Sequence, residues 1–285
     1  MTVLIVGATG FIGSRLFQVS QARGATKGTS TSGSENLLRL DLAAPATFDF
    51  SQVTAGDVVI LTAAISAPDA CARDAVRARA VNVGGACHFA GQSIARGARV
   101  IFLSSDTVYG EQAVAFDESA QCYPAGDYAR MKHEVESRFA SEPAFKVARL
   151  SYVFARHDKL TQYLTACATK GDEAELFHPF NRAVIWLDDV VGGLVGLATK
   201  WDSVPYPVIN FAGPAVLSRI DFAQALMARA LPGLRYRQVE PPPSFFENRP
   251  RVIHMTSRYL RLLLGREPHS LAESIDFAFA LKGTK

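Results

Sequence analysis

The opening of this chain constrains its fold more than any other stretch. Thr2–Val6 reads TVLIV, a β-branched run suited to a buried strand, and Gly7-Ala-Thr-Gly10-Phe-Ile-Gly13 follows directly. Glycines at a strand end let the chain turn tightly and bring its backbone close to a pyrophosphate. The helix behind them, expected over Phe11–Ala22, offers unpaired N–H groups and the positive end of its dipole to the anion. Three glycines alone also fit a plain loop. A strand before and a helix after are the context the phosphate cradle needs. The spacing is G-x-x-G-x-x-G rather than G-x-G-x-x-G. Gly7, Thr9, Gly10, Phe11, Ile12 and Gly13 are the candidate cofactor contacts.

The next 140 or so residues repeat the strand–helix alternation. GDVVILTAA (56–64), ARVIFLSS (98–105) and FKVARLSYVF (145–154) read as strands; 69–96 reads as one or two helices and Tyr128–Ala140 as another. GATKGTST (24–31) is poor in large apolar residues and is taken as a strand only because a βαβ unit needs one. This order predicts an α/β fold, a Rossmann-type doubly wound parallel sheet with helices on both faces. After about residue 155 the pattern changes. A helix is expected over Leu160–Lys170, a strand over 207–213 and a helix near Ser218–Leu231, while the triple proline at 241–243 excludes a central strand there. The expected organisation is a nucleotide-binding domain over 1–155 and a smaller C-terminal substrate lobe over 156–285, interleaved with it.

Composition narrows the function class. The 285 residues are 48% hydrophobic and 20% charged, enough for a sizeable core. A net charge of +3 without a Lys/Arg run argues against nucleic acid and suits an anionic small molecule. Cys71, Cys87, Cys122 and Cys167 form no CxxC and no zinc spacing with histidine, so free thiols in a reducing cytoplasm are expected. A strand starting near Thr2 leaves no room for a signal peptide. No apolar run has bilayer length, so no membrane partner is expected; RYLRLLLG (258–265) reads as a short helix packed on the body.

Two polar clusters carry candidate chemistry. LSSDTVYG (103–110) crowds hydroxyls and a carboxylate onto the end of a strand. Tyr128 and Lys132 stand at i and i+4 on one helix face. An ammonium there is expected to lower the phenol's pKa, making tyrosine a usable acid or base. Each cluster alone also reads as a capped loop or a surface pair. With the glycine loop they make a set.

That set resembles the extended short-chain dehydrogenase/reductase family of nucleotide-sugar enzymes, in particular its dTDP-4-dehydrorhamnose reductase branch. VLIVGATGFIGSRL, TAAISAPDAC, LSSDTVYG, YARMKHEVE, RLSYVF, RAVIWLDDVV, NFAGPAVLSRIDFAQAL and RPRVIHM occur in the family's order across nearly the whole chain. The resemblance implies Tyr128 as proton donor or acceptor, Lys132 as ribose ligand and tuner of the tyrosine, and Ser105 as the residue orienting the carbonyl, with Ser104 its rival. It implies cofactor contacts at Asp41-Leu42, Thr62, Ala63, Ala64 and Asn82, and substrate contacts at Asp106 and Thr107. Arg182, Arg249 and Arg251 are the implied diphosphate ligands, each also readable as a solvated arginine. Asp106-Thr107 stands where dehydrating members carry Asp-Glu, so 4,6-dehydration is not expected. Ser30, Thr31 and Ser32 replace the acidic residue that binds the ribose of NAD, which points to NADP, with NAD possible and Lys27 or Arg39 as the cation. No metal is expected: His133 should be on the surface, His88 should pack, and Asp188-Asp189 should cap the following helix. The implied activity is NADP-dependent reduction of a nucleotide sugar's keto group. An NAD-dependent epimerase and a non-catalytic cofactor-binding subunit are the alternatives. A homodimer through helices within 69–96 and 126–140 is implied as well.

Overall fold

The structure is a computed structural model that describes residues 1–280. Seven strands form one sheet in the order Val208–Phe211, Phe145–Leu150, Arg99–Ser105, Val58–Leu61, Val3–Val6, Thr26–Ser30, Leu38–Arg39, parallel throughout. Both faces are covered, which is why the central strands are continuous apolar runs. Alternation along each strand divides the core. Ile5, Ile60 and Leu103 face the helices Phe11–Gln21 and Leu187–Thr199; Leu4, Val59 and Phe102 face Ala86–Ile94 and Asp127–Arg138. The strand order reverses between Val3–Val6 and Val58–Leu61. That switch point opens a crevice at the strands' carboxyl ends.

The weakly patterned second strand is real, over Thr26–Ser30. A Cβ at Gly28 would lie 2.7–2.8 Å from Ala8, Leu37 and Phe17, so neighbouring side chains fill the space this strand leaves. The expected 145–154 strand stops at Leu150; Val153–Phe154 turns away to pair with Ile185–Trp186. The 69–96 region is broken into Pro68–Arg73, Ala75–Arg79, a π-helical turn Ala80–Gly85 and Ala86–Ile94.

Residues beyond 155 supply the last strand of the main sheet, Val208–Phe211, and also build a second core around Leu164, Leu176, Phe222 and Ile275. Asp188 and Asp189 do not cap the Leu187–Thr199 helix, whose N-cap position is Trp186. Asp188 binds Arg15 across two helices, and the fully buried Asp189 receives Arg266 and His269. Among the described residues no helix is long and apolar enough to cross a membrane.

Candidate active site

The crevice holds a cavity of ≈ 560 Å³. Its floor is the glycine loop. Gly7 has φ +90°, and a Cβ there would sit 2.8 Å from that of Ala63; at Gly13 it would sit 2.1 Å from the Gly7 carbonyl oxygen. Glycine is therefore what lets the loop, the helix and the Thr62–Ala64 segment close on one another. Thr62 Oγ1 locks this junction by donating to the Val6 carbonyl at 2.7 Å. The helix begins at Phe11 with Gly10 as N-cap, so no side chain competes with an anion for its first N–H groups.

Toward the edge strands, Asp41, Leu42, Ser30 and Thr31 line the cavity, but Ser32 does not. Ser32 belongs to the exposed turn that leaves the strand. Lys27 is turned away, its ammonium donating to the carbonyl and side chain of Gln52. Arg39 is exposed and lies directly across from Ser30 in the ladder. Arg77 also lines the cavity, a cation that no sequence motif marked. Asn82 is buried and touches the cavity only through another residue: its side-chain amide clasps Ile65, accepting from the N–H at 2.8 Å and donating to the carbonyl at 2.9 Å. Ile65 lines the cavity.

The far wall is the helix Asp127–Arg138, entered through Gly126 at φ +82°. Tyr128 and Lys132 both line the cavity, as the i, i+4 spacing requires. Lys132 is 3% exposed; its Nζ donates to the Leu103 carbonyl at 2.7 Å and lies 4.5 Å from the Phe102 ring centroid and 5.7 Å from that of Tyr128. Burial brings its pKa down to about 8, against the pull of Glu136. The expected lowering of the phenol is not found. Burial pushes Tyr128 well above the usual phenol range, and Cys71 and Asp106 add to it. Desolvation outweighs an ammonium that is itself partly desolvated and hydrogen-bonded elsewhere.

Strand alternation separates the two candidate serines. Ser104 faces the Asp127–Arg138 side and lines the cavity; its hydroxyl is buried near the Glu136 carboxylate, whose pKa it helps to lower. Ser105 is at the strand's tip. Its Oγ lies 3.1 Å from Asp106 Oδ1 and 3.0 Å from Thr107 Oγ1, and it does not line the cavity. Asp106 is buried against Ser151 at 3.1 Å and Arg182 Nε at 3.7 Å, and desolvation still raises its pKa.

The implied diphosphate arginines are not equivalent. Arg182 is buried and spent, donating to the carbonyls of Asn181, Pro250 and Arg251. Arg249 pairs with Asp69 at 2.7 Å, and Arg251 lies over the Phe246 ring. A further guanidinium, Arg219, packs among Phe177, Phe180 and Phe245. Its only sequence signal was a cation inside the NFAGPAVLSRIDFAQAL motif. His133 is partly exposed at the surface, and with Cys122 and Glu136 it brings three possible ligand atoms within 4.8 Å. Glu136, however, is already taken by Arg149.

The RmlD substrate binding domain family model matches residues 1–273. The dTDP-4-dehydrorhamnose reductase of Mycobacterium tuberculosis is 26% identical over 232 residues, 79% of this chain and 74% of its own length. A dTDP-4-dehydrorhamnose reductase from Clostridium acetobutylicum superposes with a TM-score of 0.83 at 21% identity, covering 99% of each chain. A mutant UDP-glucuronic acid 4-epimerase from Bacillus cereus, in complex with UDP-4-deoxy-4-fluoro-glucuronic acid and NAD, gives 0.83 at 19%, covering 98% of each. The dTDP-4-dehydrorhamnose reductase from Bacillus anthracis, in complex with NADP, gives 0.81 at 18%, covering 99% of this chain and 98% of that one. At these identities the solved structures share the fold.

Proposed function

The chain belongs to the RmlD substrate binding domain family, among the extended short-chain dehydrogenases/reductases, and from that premise we propose that it reduces a keto group, at C4, of a nucleotide-linked sugar, with NADPH as reductant. One observation carries the reading. A single cavity runs from the glycine loop at one end to Tyr128 and Lys132 at the other. The residues present fit a dinucleotide: a loop only glycine can form, an uncapped helix N-terminus, and hydroxyls with Arg39 beside them where a 2′-phosphate would need donors.

When bound, a reduced nicotinamide supplies the hydride. Lys132 keeps its charge below about pH 8 and so steadies negative charge near the Tyr128 ring. Tyr128, held protonated by burial, is the proton donor to the developing alkoxide. Ser105 orients the oxygen once its hydroxyl turns from Asp106. The names of the curated relative and of two similar solved structures, all dTDP-4-dehydrorhamnose reductases, support the substrate class. A homodimer through the Asp127–Arg138 helix would meet a charged surface, where Glu134 already pairs with Arg79 and Arg138.

The test is stoichiometric NADPH oxidation with a 4-keto nucleotide sugar. Tyr128→Phe is expected to lower kcat by roughly 10²–10⁴-fold while NADPH still raises the melting temperature. Activity surviving that change, or product forming without net NADPH consumption, would refute the proposal.

A further inference from the structure

Away from the cofactor cavity, a thiol, an imidazole and a carboxylate converge. Cys122 lies in the segment that leads into the Asp127–Arg138 helix. His133 and Glu136 stand at i and i+3 on that helix and so share a face. Cys122 Sγ, His133 Nδ1 and a Glu136 carboxylate oxygen all lie within 4.8 Å of one another, and His133 Nδ1 is 3.8 Å from Glu136 Oε2. None of the three residues lines the cavity.

The histidine adds a second observation. Its ring is partly exposed, yet Nδ1 itself is buried and makes no hydrogen bond among the described residues. The facing carboxylate oxygen, at 3.8 Å, is beyond hydrogen-bond length. Buried polar atoms are nearly always partnered, and an ion is one of the partners that explains an exception. The spacing suits one. Around a tetrahedral zinc ion, thiolate, imidazole and carboxylate donors stand about 3.4–3.6 Å apart. The His133–Glu136 pair is nearly there, and closing the widest gap takes about 1 Å, within reach of a half-buried cysteine side chain. The backbone that carries Cys122 is held in place. A Cβ at Gly110 would come within 2.3 Å of the Tyr123 carbonyl oxygen, and Gln112 donates to the Gln121 carbonyl at 3.2 Å.

Arg149 holds Glu136 without using it up. Its Nε lies 3.2 Å from both carboxylate oxygens and its Nη2 lies 2.5 Å from Oε2. An ionised carboxylate has about four lone-pair sites, so room remains for a cation. The arginine fixes the carboxylate's orientation, as outer partners do for metal ligands. Its charge opposes a cation, and two anionic donors, the carboxylate and the Cys122 thiolate, outweigh it. Burial pushes the Cys122 thiol up while Arg149 pulls it down. A bound metal takes the thiolate and releases the thiol proton to water.

We propose that Cys122, His133 and Glu136 form a site for one thiophilic divalent cation of the zinc class, with water in the fourth position. Sulfur and imidazole donors select such an ion over magnesium or calcium, which take oxygen donors. The ion clamps the Cys122 segment onto the helix that carries Tyr128 and Lys132 and stays outside the cavity where the reaction occurs.

The experiment titrates the full chain, purified with a chelator and then freed of it, with Co²⁺, Zn²⁺ and Mg²⁺. Co²⁺ is expected to bind once per chain, with a thiolate-to-cobalt charge-transfer band in the near ultraviolet and the intense visible bands of a four-coordinate ion. Zn²⁺ should displace it and raise the melting temperature, because the ligands converge only in the folded chain. Mg²⁺ should do neither. Cys122→Ser should abolish the charge-transfer band, and His133→Gln should weaken Co²⁺ binding by at least about tenfold. Cys87→Ser, at another half-buried thiol, should keep the band. Both ligand variants should keep their response to NADPH and a metal-free melting temperature within about 4 °C of wild type.

A wild type without the charge-transfer band overturns the proposal. A band that survives Cys122→Ser overturns it too, because the metal would then sit on another thiol. If Cys122→Ser loses its response to NADPH, His133→Gln decides: unchanged Co²⁺ affinity refutes the site, and a tenfold loss with the NADPH response kept upholds it.

Discussion

Lys132 gives the sharpest quantitative prediction. Its ammonium is 3% exposed, and burial moves its pKa from 10.5 to about 8. The unfolded chain therefore holds this proton more tightly than the native one between those two values. Stability rises with pH wherever the unfolded state binds more protons, so the native state is penalised below about pH 8 and the penalty is released as pH climbs toward 10.5. At 1.36 kcal/mol per unit, the whole interval amounts to roughly 3 kcal/mol. About 2 kcal/mol of that falls between pH 7.5 and 9.5. Other groups titrate in this range as well, so the comparison is with Lys132→Met, which keeps the stem and lacks the charge. Urea unfolding of both proteins without cofactor, at pH 7.5, 8.5 and 9.5, should show the wild type gaining about 2 kcal/mol on the variant. The offset at any one pH is less informative, because the methionine also strands the Leu103 carbonyl and loses the contact with Phe102. Two parallel curves would refute the reasoning, for they would mean that Lys132 titrates like a solvated lysine and the cavity wall is open to water.

The cofactor end supports two more expectations. Gly13→Ala would set a Cβ 2.1 Å from the Gly7 carbonyl oxygen and 2.8 Å from Thr62 Oγ1; the backbone must move, and NADPH affinity measured by fluorescence titration should fall at least tenfold, with a loss of about 1–3 kcal/mol in stability. Arg39→Gln should weaken NADPH by about tenfold and leave NADH nearly unchanged, because the ladder puts Arg39 beside Ser30 while Lys27 is spent on Gln52; equal effects on both cofactors would remove Arg39 from the 2′-phosphate site.

The features legible in the sequence are those whose chemistry lies in local spacing. Three glycines after a strand and a Tyr/Lys pair one turn apart carry their geometry with them, and the cavity joins them. The Thr26–Ser30 strand was nearly invisible because its packing atoms belong to Phe17 and Leu37 rather than to itself. Partner choice was the other blind spot. Arg182 and Arg219 are the same residue type close together in the fold: Arg182 lies in the strand Asn181–Ala183, and Arg219 opens the helix that follows its ladder partner Val216–Ser218. What separates them is chain that arrives 68 and 69 residues after Arg182 to offer it carbonyls. Tyr128 teaches the same point about energy. The i+4 lysine is where spacing put it, but the sign of the phenol's shift is set by how much water the surrounding chain removes. A motif therefore fixes which groups can meet, and the competition for each group decides which of them is left to bind a ligand.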